Sequence, residues 1–423
     1  MTASVTTSGT ALHIAAWRAE VRGWLASVLP ARDAGGEETA ASYAVFHNLT
    51  ADEERAFLTA IRDYRRARYD AGYGALTLSV DRGGSGLPAS FATAMTEEEA
   101  KFAVPPSHET ISVTTGLVAP AVAMFGSEPL RKRFVQAFLR TDLLCCQLFS
   151  EPGAGSDLAA LGCRAIRDGD GWVVSGQKVW SSGAQFAEYG FLLARTDPDV
   201  PKHRGITAFL MPMELAGVEV RPIRQMSGGS SFNEVFLSGV RIPDEFRVGG
   251  VGEGWRVATA TLAFERTASG SGTRRKGGSF DDLLGLARRL GRSSDPVVRQ
   301  QLADVYIRGA LRAATADRVA RAAAAGVQPG PAASVGKLLA SDVLVRIGEL
   351  AVELLGTRAL ADLGGLGEAG NFEWTEHVLG APGYRLAGGT DQIQRNIIAE
   401  RVLGLPAEPR LDKDVPWSAL ARS

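Results

Sequence analysis

The chain has 423 residues, 45% hydrophobic and 22% charged, enough for two or three packed domains with sizeable cores. Lys and Arg total 46 against 47 Asp and Glu, a formal charge of -1 that excludes a global field drawing in nucleic acid or an anionic membrane. Cys145, Cys146 and Cys163 are an odd set without zinc-like spacing. No run of about 18 apolar residues occurs, and MTASVTTSGTALH lacks a signal-like leader, so a reduced, cytoplasmic setting without a membrane span is expected.

In chain order, AAWRAEVRGWLASVLP and ADEERAFLTAIRDYRRARYDAGY repeat apolar residues every three or four positions and predict helices, the first stopping at Pro30. DRGGSGLP reads as a Gly/Pro loop, and EPLRKRFVQAFLR as a further helix. From about Leu143 the character changes. GWVVSG, YGFLLART, GITAFLMP, GVEVRPI and NEVFLSGVRIP are short β-rich runs separated by turn residues. After Gly254 the helical period returns in WRVATATLAFERTASGSG, in PVVRQQLADVYIRGALRAATADRVARAAAAG and in SVGKLLASDVLVRIGELAVELLG. SGTRRKGGS and RRLGRSSDP read as loops between these helices. The expected fold is α+β: an N-terminal helical domain over 1–142, a middle β-barrel-like domain over 143–254 and a C-terminal helical bundle over 255–423.

Two segments suggest chemistry. In QLFSEPGAGSDLAAL, Gly153, Ala154, Gly155 and Ser156 let backbone N–H groups approach a ligand, and the hydroxyls of Ser150 and Ser156 add donors. Alone this is an ordinary Gly/Ser loop. SGQKVWSSGAQ then offers the flat indole of Trp180 and the hydroxyl of Ser182, the two things a flavin ring needs, although an isolated Trp more often packs a core. No metal site is expected, because the five histidines have no ligand spacing, and no Gly-x-Ser-x-Gly elbow occurs.

Taken in order, SEPGAGSD, GQKVWSSG, RGITAFLMP, FNEVFLSGVRIP and GGTDQIQRNIIAERVLGLP resemble the signatures of the FAD-dependent acyl-CoA dehydrogenase family. The resemblance implies that Gln147, Phe149, Ser150, Gly155 and Ser156, with Trp180 and Ser182, hold the FAD ring. It implies that Ser156 also reaches CoA, and that Thr390 and Gln392 contact FAD. It further implies an acyl-CoA substrate, an electron-transfer flavoprotein as acceptor and a homo- or hetero-oligomer. The family's Arg-x-x-Phe-Gly motif is replaced here by RRLGRSSDPVVRQQ, where Arg292 is either the substitute phosphate-binding cation or part of a solvated basic loop.

The implied reaction needs a carboxylate to take a proton from the carbon α to the thioester. The Tyr-Glu-Gly-Thr motif that supplies it in many members corresponds to Ala387, Gly388, Gly389 and Thr390, and Gly388 cannot act as a base. Isovaleryl-CoA dehydrogenase and similar members instead carry the base in a Leu-Glu-Arg motif on a helix. TLAFERTASG corresponds to that motif with Phe264 in place of the leucine, which implies Glu265 as base and Arg266 on the CoA side, although such a dipeptide is also a common surface ion pair. Three functions remain open: an acyl-CoA dehydrogenase, a non-catalytic partner subunit of a hetero-oligomer, and a flavin monooxygenase or oxidase on the same fold.

Overall fold

The computed structural model describes residues 4–32, 43–46, 48–106, 108–270, 277–324, 330–360, 371–410 and 412–420; the side chains of 4–12, 265–270, 323–324 and 371 lie outside the description. The first part is helical. α1 (Ser4–Val28), α2 (Ala51–Asp70) and α3 (Ala89–Glu99) are followed by α4 (Glu109–Val113), which passes through a π turn into α5 (Ala119–Phe125), and then by α6 (Glu128–Leu139). Trp17, Val21 and Leu25 recur at helical spacing on α1 and meet Tyr64 of α2 and Phe91, Ala94 and Met95 of α3 in one apolar cluster. α2 starts where it does because Thr50 and Glu53 cap each other reciprocally, satisfying two otherwise orphaned N–H groups.

The middle of the chain forms one eight-stranded sheet from β1 (Cys145–Leu148), β2 (Arg164–Asp168), β3 (Gly171–Lys178), β4 (Tyr189–Arg195), β5 (Ile206–Pro212), β6 (Val218–Ile223), β7 (Phe232–Pro243) and β8 (Arg247–Val248). The order is β6-β7-β3-β2-β4-β5-β8, with β1 parallel to β4. β1, β2 and β8 are additions to the five strands expected from sequence. Val122, Phe134 and Phe138 of α5 and α6 pack into the same core as Phe191, Phe209 and Val235 of the sheet. All three cysteines are free and buried, and burial pushes the thiols up, to about 12 at Cys146 and about 11 at Cys163, so they remain protonated.

The last part is helical again: α7 (Gly254–Gly270), α8 (Phe280–Arg289), α9 (Pro296–Ala324), α10 (Ala333–Leu355), α11 (Asn371–Gly380), α12 (Gly383–Leu386) and α13 (Asp391–Ile397). α8, α9 and α10 share a core that is closed by Trp374 of α11. Residues 412–420 then return to the sheet, where Pro201 and Pro416 form a bridge. Among the described residues no helix is long and apolar enough to cross a membrane.

Candidate functional site

The loop after β1 and the segment after β3 lie side by side because their backbones are joined: Val179 N–H donates to Ser150 O at 3.0 Å. β1 is held parallel to β4 in the register Gln147↔Phe191, and the buried ring of Phe149 packs on Phe191. Glu151 and Ala154 exchange both backbone hydrogen bonds, which makes a tight turn out of EPGA. Beyond it Gly155 and Ser156 are exposed, and a β carbon built on Gly153 or Gly155 would meet nothing within 4 Å. The backbone there is open to an incoming ligand.

A buried ion pair fixes this loop from beneath. Lys178, at the end of β3 and 0% exposed, donates to Glu151 Oε1 at 2.7 Å and to Phe149 O at 3.1 Å. The same carboxylate accepts from Gly162 N at 2.7 Å and Cys163 N at 3.0 Å. Sequence reasoning passed over this pair, yet strand parity contained a signal. Trp172 and Val174 face inward on β3, and Lys178 shares their parity.

Trp180 is one of two non-glycine residues with a positive φ among the described residues, at 61°, and the residue is 60% exposed. A left-handed β-substituted residue costs about 1–3 kcal/mol, and such strain persists where the surroundings impose it. Here Asn233 imposes it: Ser181 and Asn233 exchange backbone hydrogen bonds at 3.0 and 3.2 Å, and Asn233 Nδ2 donates again to Ser181 O. Gly183, with φ of 60°, is required on two grounds, since a β carbon there would also collide with Thr110 Oγ1. Ser182 sits half-buried between Trp180 and Gly183. Among the described residues, none hydrogen-bonds the buried hydroxyls of Thr110 and Ser181. An outward-facing indole, a neighbouring hydroxyl, unpaired buried donors and an open glycine backbone fit a flat, hydrogen-bonding ring such as that of FAD.

An aromatic series runs from here to the C-terminal motif. Trp180 meets Phe232 edge-on at 6.1 Å, Phe232 meets Phe46 at 5.1 Å, and Phe46 stacks on Tyr384 at 5.3 Å. Tyr384 Oη in turn donates to Glu109 Oε1 at 2.9 Å. Gly388 and Gly389 both have positive φ, 66° and 84°, and Gln394 Nε2 donates to the carbonyl of Gly388 at 2.8 Å. Asp391 anchors the turn through Lys337 at 3.0 Å, Ser341 at 2.9 Å and Arg385 at 2.9 Å. These neighbours hold the Asp391 carboxyl below its usual range against the opposing effect of its burial, which is the largest single influence on it. Gly388 therefore sits in a left-handed turn, where any side chain would be strained.

The remaining expected residues are more scattered. Thr390 caps α13 by accepting from Ile393 N–H at 3.2 Å, and Gln392 is exposed in the first turn of that helix. The described side-chain and backbone hydrogen bonds of Arg292 stay on its own turn, to Asp295 and Ala287. Glu265 and Arg266 lie on α7, but their side chains fall outside the described residues.

Family models for the N-terminal, middle and C-terminal domains of acyl-CoA dehydrogenases match residues 37–142, 146–240 and 252–403. Acyl-CoA dehydrogenase FadE34 of Mycobacterium tuberculosis is 44% identical over 289 residues, covering 68% of this chain and 39% of FadE34. Acyl-CoA dehydrogenase IpdE1 of the same organism is 36% identical over 404 residues, covering 93% of this chain and 98% of IpdE1. Among solved structures, the Tcur3481-Tcur3483 steroid ACAD superposes with a TM-score of 0.75 at 25% identity, covering 94% of this chain and 98% of that one. The ChsE4-ChsE5 complex from Mycobacterium tuberculosis superposes with a TM-score of 0.68 at 26% identity and the same two coverages.

Proposed function

The chain belongs to the acyl-CoA dehydrogenase family of FAD-dependent oxidoreductases, and from that premise we propose that it desaturates the Cα–Cβ bond of an acyl-CoA thioester with Glu265 as the base. The observation that carries this reading is the joining of the loop at 150–156 to the strained, outward-facing Trp180. The division at 142/143 and 254/255 into helical, β and helical domains is part of the same reading.

In this proposal Gln147, Phe149, Ser150, Gly155, Ser156, Trp180 and Ser182 hold the FAD ring, while Thr390, Gln392 and Arg292 serve its remainder. When bound, FAD supplies the acceptor for the hydride that leaves Cβ. The carboxylate of Glu265 takes the Cα proton, which becomes acidic because the thioester carbonyl spreads the developing negative charge. Ser156 and Arg266 hold the CoA portion. A helix is a stiffer mount for the base than the Gly388 turn, and that stiffness matters because a small misplacement of a reacting group costs rate steeply. An electron-transfer flavoprotein as acceptor, assembly into an oligomer and a cytoplasmic setting complete the proposal.

A second reading, a non-catalytic partner subunit, is favoured by two observations. Gly388 is built into a turn, and Arg292 is engaged with its own Asp295. The purified chain, its flavin spectrum and anaerobic addition of an acyl-CoA panel separate the two. The panel includes straight-chain, branched, aromatic and steroid-bearing thioesters, the last because one neighbour is a steroid ACAD. Bleaching without oxygen supports the dehydrogenase. Bound flavin that no thioester bleaches supports the partner subunit, and oxygen-dependent turnover supports a monooxygenase or oxidase.

A further inference from the structure

Beyond α13 the chain runs through the exposed stretch 403–410 and then comes back to the sheet, with residues 412–420 laid along the 198–204 loop. Trp417 N–H donates to Val200 O at 3.0 Å and Ser418 N–H to Pro198 O at 2.8 Å. Trp417 Nε1 donates to Ala160 O at 3.1 Å, and the guanidinium of Arg195 sits 4.6 Å from the centre of its ring. Arg195 is itself buried and donates to the carbonyls of Ala159, Leu161 and Lys202. Lys202, also buried, joins two carboxylates: Asp157 at 2.7 Å and Asp412 at 2.5 Å. Asp157 directly follows Ser156.

The glycine loop has few contacts at its tip, so its geometry depends on its ends. The inner end is held by Glu151 and Lys178. The outer end, 157–161, is held by Lys202 at Asp157 and by Arg195 at the carbonyls of Ala159 and Leu161, and each of these cations is covered by the returning tail, while Gly162 N–H is held by Glu151. The 198–204 loop also touches the start of α7, where His203 packs edge-on against Trp255 at 4.8 Å. The tail thus closes over a junction shared by the glycine loop and the helix that carries Glu265.

We propose that residues 412–420 are a strap that positions the loop bearing Gly155, Ser156 and Asp157 for the CoA thioester, with Lys202 and Trp417 as positioning residues; this rests on the reading of that loop as ligand-facing. An anchored outer end lowers the ordering cost that binding must otherwise meet. Removing the strap therefore weakens CoA binding.

The test compares the full chain with a variant ending at Arg410 and with Trp417→Ala, Trp417→Phe and Asp412→Asn in the intact chain, which serve if the truncated protein does not fold. Amide hydrogen exchange over 155–162 is followed with FAD present and after its removal, and binding of coenzyme A is measured by calorimetry. The strap predicts exchange about tenfold faster over 157–161 in the truncation and in Trp417→Ala. It also predicts coenzyme A affinity about tenfold weaker and most of both effects rescued in Trp417→Phe, which keeps a ring over Arg195. Unchanged exchange in the truncation and in Trp417→Ala overturns the strap. Faster exchange with unchanged coenzyme A affinity overturns instead the reading of the loop as ligand-facing, and with it the positioning role.

Discussion

Replacing Lys178 by Met tests how the candidate site is held. The substitution keeps an unbranched side chain of similar length in a fully buried position and removes the charge. Glu151 would then keep its two backbone donors, Gly162 and Cys163, but lose its counter-ion, and the Phe149 carbonyl would lose its ammonium donor. Breaking one side of a buried pair costs about 3–5 kcal/mol, and the orphaned carbonyl adds about 1 kcal/mol. Better packing of the Met offsets part of this, which leaves a net loss of roughly 3–4 kcal/mol. Glu151→Gln in the Lys178→Met background removes the stranded charge but leaves an acceptor for only one of the two N–H groups, which reach different carboxylate oxygens, so it should recover about 1 kcal/mol. Urea unfolding of the wild type, both single variants and the double variant gives the coupling, and FAD retention follows the site. A Lys178→Met loss below 1 kcal/mol, or strictly additive effects, would refute the claim that this pair holds the loop.

Gly183→Ala should cost about 2–4 kcal/mol, from left-handed strain and from overlap with Thr110, and should release FAD. Adding Thr110→Ala should recover the overlap portion alone, as read from melting curves and flavin absorbance. Glu98 is buried on α3 with Arg22, Lys101 and Arg18 around it. Its hydrogen bonds, foremost from Arg22, pull its carboxyl from the usual 4.5 to about 2. A depressed carboxyl stabilises the fold fully above its unfolded pKa and loses that stabilisation as pH falls toward the folded value. Wild type should therefore exceed Glu98→Gln by roughly 2–3 kcal/mol at pH 7, a figure discounted because Arg22 is half exposed. The gap should close between pH 4.5 and 2; a gap constant over that range in thermal melts would contradict the pairing.

The fold was legible where a pattern repeats. The long helices and the strands β3 to β7 follow from apolar period and turn residues. β1 escaped because its four residues are nearly all buried and pair in parallel, which erases the alternation that betrays a half-exposed strand. β2 escaped because it is short and largely exposed, with Ile166 itself facing out.

At the site, residue type announced Trp180 and Ser182, but neither the φ of Trp180 nor the collision that makes Gly183 obligatory is local information. Both are set by Asn233, on β7, and by Thr110, on α4. The junction of Arg195 and Lys202 with Asp412 and Trp417 was invisible for the same reason, since the tail reaches it from more than 200 residues away.

The central claim, that this chain desaturates an acyl-CoA using Glu265, is tested most directly by anaerobic mixing of FAD-loaded wild type and Glu265→Gln with the thioester panel. The wild-type flavin band should bleach with at least one thioester. The variant should retain FAD and bind that thioester but reduce flavin slower by about 100-fold or more, because an amide cannot take the proton. Near-wild-type reduction by Glu265→Gln would contradict the account and move the base elsewhere.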